Sequence, residues 1–168
     1  VTAGTCTLKV AIASDGTYNS ETSSTISFIV TYAIGDTGPG GGKIFMTLST
    51  SGNTTGKYFE SALGTWNSGS DINNRWCNNT NLAIGTSAQG IAIGTGQANT
   101  NAIVAVCTAG AAFDARAYAG GGLADWFLPS QAELQEMYTQ RTTIGGFTTL
   151  SQLYGGSGTT QSYWSSSE

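Results

Sequence analysis

The sequence contains no histidine and only two prolines, and charged residues make up 10% of its 168 positions. An average soluble domain carries roughly 25% charge. Each shortage excludes something. Without His there is no Ser-His-Asp triad, no Cys-His dyad and no His-ligated zinc. Six Lys and Arg against ten Asp and Glu give a net charge of -4. A nucleic-acid interface needs cations clustered on one face, so no nucleic-acid partner is expected. No run approaches the roughly 18 apolar residues of a membrane-spanning helix, so no membrane span is expected. What is abundant is Gly, 24 residues, with 39% hydrophobic and 10% aromatic residues. That suffices for a packed core. Polarity comes mainly from Ser, Thr, Asn and Gln, a composition common in exported bacterial surface proteins.

Three cysteines is an odd number. Cys77 and Cys107 lie 30 positions apart and would close a loop. Such a bond contributes roughly 3–4 kcal/mol in the loop-entropy treatment. Three buried thiols in a reducing compartment are the alternative. Cys6 stands apart, its partner expected outside this sequence. Val1 is no initiator, and Tyr163-Trp164-Ser165-Ser166-Ser167-Glu168 reads as a strand cut short. The chain is therefore expected to be a piece of a longer polypeptide.

Residues 1–32 read as two strands about a Ser14-Asp15-Gly16-Thr17 turn. Cys6, Leu8 and Val10 alternate with Thr5, Thr7 and Lys9, and Ile26, Phe28 and Val30 alternate with Ser27, Ile29 and Thr31. The stretch Gly35–Gly42 is a turn feeding a strand at 43–48. Its glycines followed by Lys43 invite a phosphate-loop reading, which fails. That motif needs Gly at 37 and Ser or Thr at 44, and the chain has Thr37 and Ile44. A further strand is expected over 57–63, then a long Gly/Asn/Ser/Thr region over 64–96 that Trp66, Trp76 and a disulfide would tie down. A helix is expected over 99–107, continuing toward Tyr118, capped by Thr95 or Asn99 and stopped by Gly120-Gly121-Gly122. Ser130-Gln131-Ala132-Glu133 is a capping box, with Leu134, Met137 and Tyr138 on one helical face. A last strand is expected from about Ser162. Together these describe an α+β domain.

Several segments resemble a bacterial extracellular domain family typified by the C-terminal domain of collagen-like adhesins, the Lcl C-terminal domain. They are Gly35-Asp36-Thr37-Gly38-Pro39-Gly40-Gly41-Gly42-Lys43-Ile44-Phe45, Trp76-Cys77, Ile93–Thr100, Cys107, Asp125-Trp126-Phe127-Leu128-Pro129-Ser130, Glu133-Leu134 and Tyr163-Trp164-Ser165-Ser166-Ser167. The resemblance covers 33–168, while 1–32 are similar to the last strands of a bacterial Ig-like repeat. It implies a C-type-lectin-like fold akin to the formylglycine-generating enzymes. That fold has a small twisted antiparallel sheet, two helices and long loops, preceded by a β-hairpin from an Ig-like sandwich. It also implies a binding module at the end of a surface protein, adhesin or phage fibre, a class that includes targets of diversity-generating retroelements. The family continues through further strands after the Tyr-Trp-Ser segment, which this sequence lacks.

No pair of carboxylates stands out as a glycosidase site. Glu133 is accounted for by the capping box and Glu136 by a solvated helix face. Cys77 and Cys107 read as structural, against a formylglycine-type oxidase. Calcium is the one cofactor with any candidate ligands, Asp71 with Asn73, Asn74 and Asn78, although Asn-rich turns are commoner than ion sites. Trp126 and Trp164 are expected in the core. If Trp164 points inward from a strand, Tyr163, Ser165 and Ser167 point outward. Tyr and Ser suit a recognition surface, and Asn78, Asn79, Tyr154 and Gln161 extend it. The expected function is non-enzymatic adhesion at the cell surface or on a virion fibre, recognising a host glycan or protein through these residues. The alternative is a stalk, filament or surface-layer subunit that self-associates without a specific ligand.

Overall fold

The structure is a computed structural model, and it describes residues 4–8, 11–12, 21–22, 26–68, 72–79, 83–147 and 163–168. Its elements are mixed α and β, with four short helices and antiparallel strand pairs. The expected α+β class is therefore observed.

The opening alternation forms a ribbon. Strands β1 (Gly4–Leu8) and β4 (Ile26–Val30) pair antiparallel, with Cys6 opposite Phe28 and Leu8 opposite Ile26. Strands β2 (Ala11–Ile12) and β3 (Glu21–Thr22) pair in the same sense. The predicted turn at Ser14–Thr17 lies outside the described residues.

A third antiparallel pair is β5 (Lys43–Met46) with β6 (Phe59–Ser61), in register Lys43–Ser61, Ile44–Glu60 and Met46–Phe59. The register shifts between Ile44 and Met46, and a bulge of this kind turns the bulged strand locally. Ile44, Phe45 and Met46 are all buried, so both faces of β5 are covered rather than one. Phe45, Met46 and Phe59 form a core with Ile144, on which Phe127, Met137 and Ile93 pack. Both strands are shorter than the predicted 43–48 and 57–63. The intervening loop is organised locally by Asn53, whose amide donates to the carbonyls of Thr47 and Lys57 and accepts from Thr55.

The single helix expected over 99–118 is two. Helix α1 spans Gly96–Val104 and α2 spans Ala111–Ala117. The break lies at Cys107 and Gly110, for reasons outside the helix itself. Cys107 turns into the disulfide with Cys77, Sγ–Sγ 2.09 Å and Cα–Cα 5.5 Å. Gly110 takes φ of 125°, and a Cβ there would collide with the carbonyl oxygens of Arg75 and Trp76. That close approach lets Ala111 N–H donate to Arg75 C=O and Asn78 N–H to Ala109 C=O. Cys77, Ala88, Ile103, Cys107 and Ala112 make a second buried cluster. Thr95 occupies the N-cap position of α1 without a side-chain cap bond, and its hydroxyl donates to Ala92 C=O instead.

Helix α3 spans Gln131–Thr139 behind a complete capping box between Ser130 and Glu133. A short α4, Arg141–Ile144, follows and ends at Gly145. The strand predicted from about Ser162 is not seen over the described residues 163–168. Residues 163–168 are irregular, and the core residue among them is Ser166, while Trp164 is 51% exposed. Strand alternation therefore does not govern which of these side chains face inward. No helix among the described residues is long and apolar enough to cross a membrane.

Candidate functional site

The buried polar side chains explain how the loops are held. Asn99 and Thr100 on α1 are buried and act as substitutes for strand pairing. Asn99 exchanges both hydrogen bonds of its amide with the backbone of Gly90. Thr100 does the same with Leu128 through its hydroxyl, at 3.1 Å in each direction. Short side chains that bond backbone in this way satisfy groups a loop would otherwise leave unpaired. Glu133 is wholly buried, and its carboxylate accepts from the N–H of Ser130 and of Gly94. Burial nonetheless pushes its pKa up, against the lowering effect of those backbone bonds.

The glycine turn that suggested a phosphate loop is filled by a carboxylate of the chain itself. Glu60 on β6 accepts from Gly40 N–H through Oε2 and from Gly42 N–H through Oε1. Inward-pointing backbone N–H groups make an anion site, and here the anion is Glu60. A Cβ on Gly38 would strike that carboxylate, and one on Gly42 would strike Ser61 C=O. Close approach thus accounts for Gly38 and Gly42.

Residues 163–168 are bonded along their length to three other segments. The Trp76 indole donates to Ser165 C=O, and the Trp164 indole donates to Asn74 C=O. Ser166 N–H donates to Pro129 C=O. Ser167 Oγ accepts from Gln131 N–H and donates to Gly90 C=O. The Glu168 carboxylate accepts from Ile84 and Gly85 N–H, at the start of the 3-10 turn Gly85–Ala88.

A cleft of about 760 Å³ is bordered by residues 57–64 and by Leu123 and 125–129, among others. Its size is that of an ordinary ligand pocket. Phe59, Phe127, Leu134 and Met137 line it together with Trp66, Tyr118, Trp126, Tyr163 and Trp164. The rings of Trp66, Tyr118 and Trp126 run edge to face, at centroid spacings of 5.5 and 4.8 Å. Trp126 is held by its indole bond to Gly120 C=O. Among the described residues the charged groups on the cleft are Lys57, Glu60, Asp114 and Asp125. Glu60 is engaged by the glycine turn, and Asp114 accepts from the Asn74 amide at 2.7 Å.

Of the residues singled out from sequence, Tyr163 lines this cleft and stacks edge-on against Phe147. Ser165 and Ser167 are half-buried and hold the 163–168 segment to the body. Asn78 is exposed, but its side chain bonds Thr108 and Ala109 across the disulfide. Asn79 is exposed beside it. Tyr154 and Gln161 lie outside the described residues. Among the described candidates Tyr163 therefore lines the cleft, while Asn78, Ser165 and Ser167 use their side chains in bonds within the chain. Trp66, Tyr118 and Asp125 were not singled out for binding. No spacing links them, since they come from three loops, and only the count of aromatic residues hinted at them. Asp71, the proposed calcium ligand, lies outside the described residues. Among the described residues no group of three or more His, Cys, Asp or Glu side chains comes together.

No protein-family model, no curated protein and no solved structure matches this chain.

Proposed function

We propose that this chain is a non-enzymatic ligand-binding module of an extracellular protein on a bacterial surface or phage fibre, with a C-type-lectin-like architecture over residues 33–168. The observation that carries the reading is the cleft walled by Trp66, Tyr118 and Trp126. Aromatic rings offer large apolar faces at low entropic cost, and polar tips that orient a ligand. Asp125, Gln97 and Asn73 add hydrogen-bonding groups at the rim. The Cys77–Cys107 bond fits an oxidising location. The ligand is a host glycan or a polypeptide.

The test is a paired screen of the wild-type chain and Trp66→Ala on a glycan array and a peptide array. Saturable binding that Trp66→Ala weakens about tenfold or more supports the cleft as the site. No saturable ligand, with ordered self-association of the chain, would replace this reading by that of a filament or stalk subunit.

A further inference from the structure

Trp126 is seated between two glycine turns. Its indole N–H donates to Gly120 C=O at 3.1 Å. A Cβ on Gly40 would lie 2.5 Å from its Cζ2 and 3.0 Å from Glu60 Oε1, so the ring and the carboxylate press on Gly40 together. The two turns also meet, since a Cβ on Gly121 would strike Pro39 C=O and Gly40 Cα. Backbone at 38–42 is therefore the surface on which this edge of the ring sits. Part of that turn is held by itself, with Gly38 N–H donating to Gly42 C=O and Gly41 N–H to Gly38 C=O. The N–H groups of Gly40 and Gly42 go to Glu60 instead.

We infer that Glu60 is the positioning residue of the aromatic wall: it draws residues 38–42 into the seat that sets Trp126 against Tyr118. What the ring serves rests on the binding-module reading; the seating itself needs no ligand. Consecutive glycines have the most conformations to lose on ordering. A carboxylate that takes two of their N–H groups fixes the run, and bonds to an ionised acceptor are the stronger kind. Tyr118 then meets Trp126 at a centroid distance of 4.8 Å and an interplanar angle of 62°, an edge-to-face arrangement that depends on ring angle. A Cβ on Gly120 would strike the Tyr118 ring, so the second glycine turn seats Tyr118 as the first seats Trp126. Rings ordered beforehand spare a ligand the entropy of ordering them. Glu60 thus contributes to recognition through Gly40 and Trp126, with its own carboxylate turned to the backbone.

The experiment records fluorine NMR of the 168-residue chain labelled with fluorotryptophan, its four Trp signals assigned by single Trp→Phe variants. Glu60→Gln keeps the size of the side chain and sets an NH2 against one of the two glycine donors. The expected result is a displaced or split Trp126 signal in Glu60→Gln. The same signal should stay in place in Cys77→Ser/Cys107→Ser, which loosens the chain elsewhere. The wild type supplies an arm that needs no variant to fold, a nuclear Overhauser contact between Gly40 Hα and Trp126 Hζ2. The glycan and peptide arrays are then repeated with Glu60→Gln, and ligands that Trp66→Ala weakens should weaken by at least about threefold. An unmoved Trp126 signal in Glu60→Gln, an equal displacement in the cysteine variant, or no Gly40–Trp126 contact overturns the positioning role and leaves the module reading intact. A displaced signal with no array ligand for the wild type upholds the seating and overturns the module reading.

Discussion

Glu133 and Gly94 stand 39 residues apart in sequence and are joined by a 2.7 Å hydrogen bond from the Gly94 N–H to Oε1. The other oxygen, Oε2, takes the Ser130 N–H at 2.7 Å. One buried carboxylate thus anchors the entry of α3 and the loop that leads into α1, near two helix N-termini where negative charge is favoured. The Ser130 hydroxyl adds a second tie, to Ala92 C=O.

Replacing this carboxylate has a definite expected result. Glu133→Gln keeps one acceptor oxygen but sets an NH2 against a backbone donor. Leaving that donor unsatisfied costs about 1–3 kcal/mol. Thermal unfolding should shift down by about 2–4 °C for each kcal/mol in a domain of this size. An unchanged melting temperature would mean the carboxylate does not join the two segments.

The pH dependence follows from the raised pKa. Burial lifts the folded value above the ordinary 4.5, so between the two values the folded state holds more protons than the unfolded. Stability therefore falls as pH rises through that window. The Glu133 contribution is fully present below the unfolded value and is lost as pH passes the folded one. Urea unfolding of wild type and Glu133→Gln between about pH 4 and about pH 7 should show the wild-type advantage shrinking. An advantage that grows with pH would show the backbone donors outweighing burial.

Glu60 and the glycine turn predict a negative result with a positive partner. Because the carboxylate already fills the N–H cradle, millimolar phosphate should not raise the melting temperature. Gly42→Ala should destabilise by about 1–3 kcal/mol, the range for overpacking, because the obstructing atom is the Ser61 carbonyl oxygen. Phosphate stabilisation of the wild type would contradict this occupancy.

Reduction tests the disulfide. Cys77 and Cys107 are buried, so the native chain should resist a mild reductant. The Cys77→Ser/Cys107→Ser variant should lose about 3–4 kcal/mol in chemical denaturation. Equal stability of this variant and wild type would argue that the bond contributes nothing to the fold.

Trp76 and Trp164 each donate to the backbone of the other's segment. Trp164→Phe keeps an aromatic, if smaller, ring and removes the indole donor, at about 1 kcal/mol. Proteolysis between Trp164 and Glu168 should then accelerate while the rest of the chain stays resistant. Unchanged cleavage kinetics would show the indole bond to be dispensable.

How much of this was legible in the residues differs from element to element. Local patterns were sufficient where the cause is local. The Ser130–Glu133 box announced α3, because both its partners lie within one turn. The alternation at Cys6, Leu8, Ile26 and Phe28 announced the first ribbon, because strand period is intrinsic to the backbone. The Cys77–Cys107 pairing, left open against free thiols, is present in the structure. The break between α1 and α2 was not legible, because Gly110 is set by the backbone of Arg75 and Trp76 rather than by its neighbours. Trp164 was expected inside and lies half outside, because its segment is fixed by bonds to Asn74, Pro129 and Ala88, not by a strand ladder. The partner of the glycine turn, Glu60, sits 18 residues beyond Gly42, and no motif spacing reports it. The sequence by itself determined the class of fold, the helix start at Ser130 and the lack of any His for catalysis or zinc. Only the tertiary structure decided which carboxylate fills the glycine turn and which aromatic rings share a cleft, because those contacts join segments that no local periodicity connects.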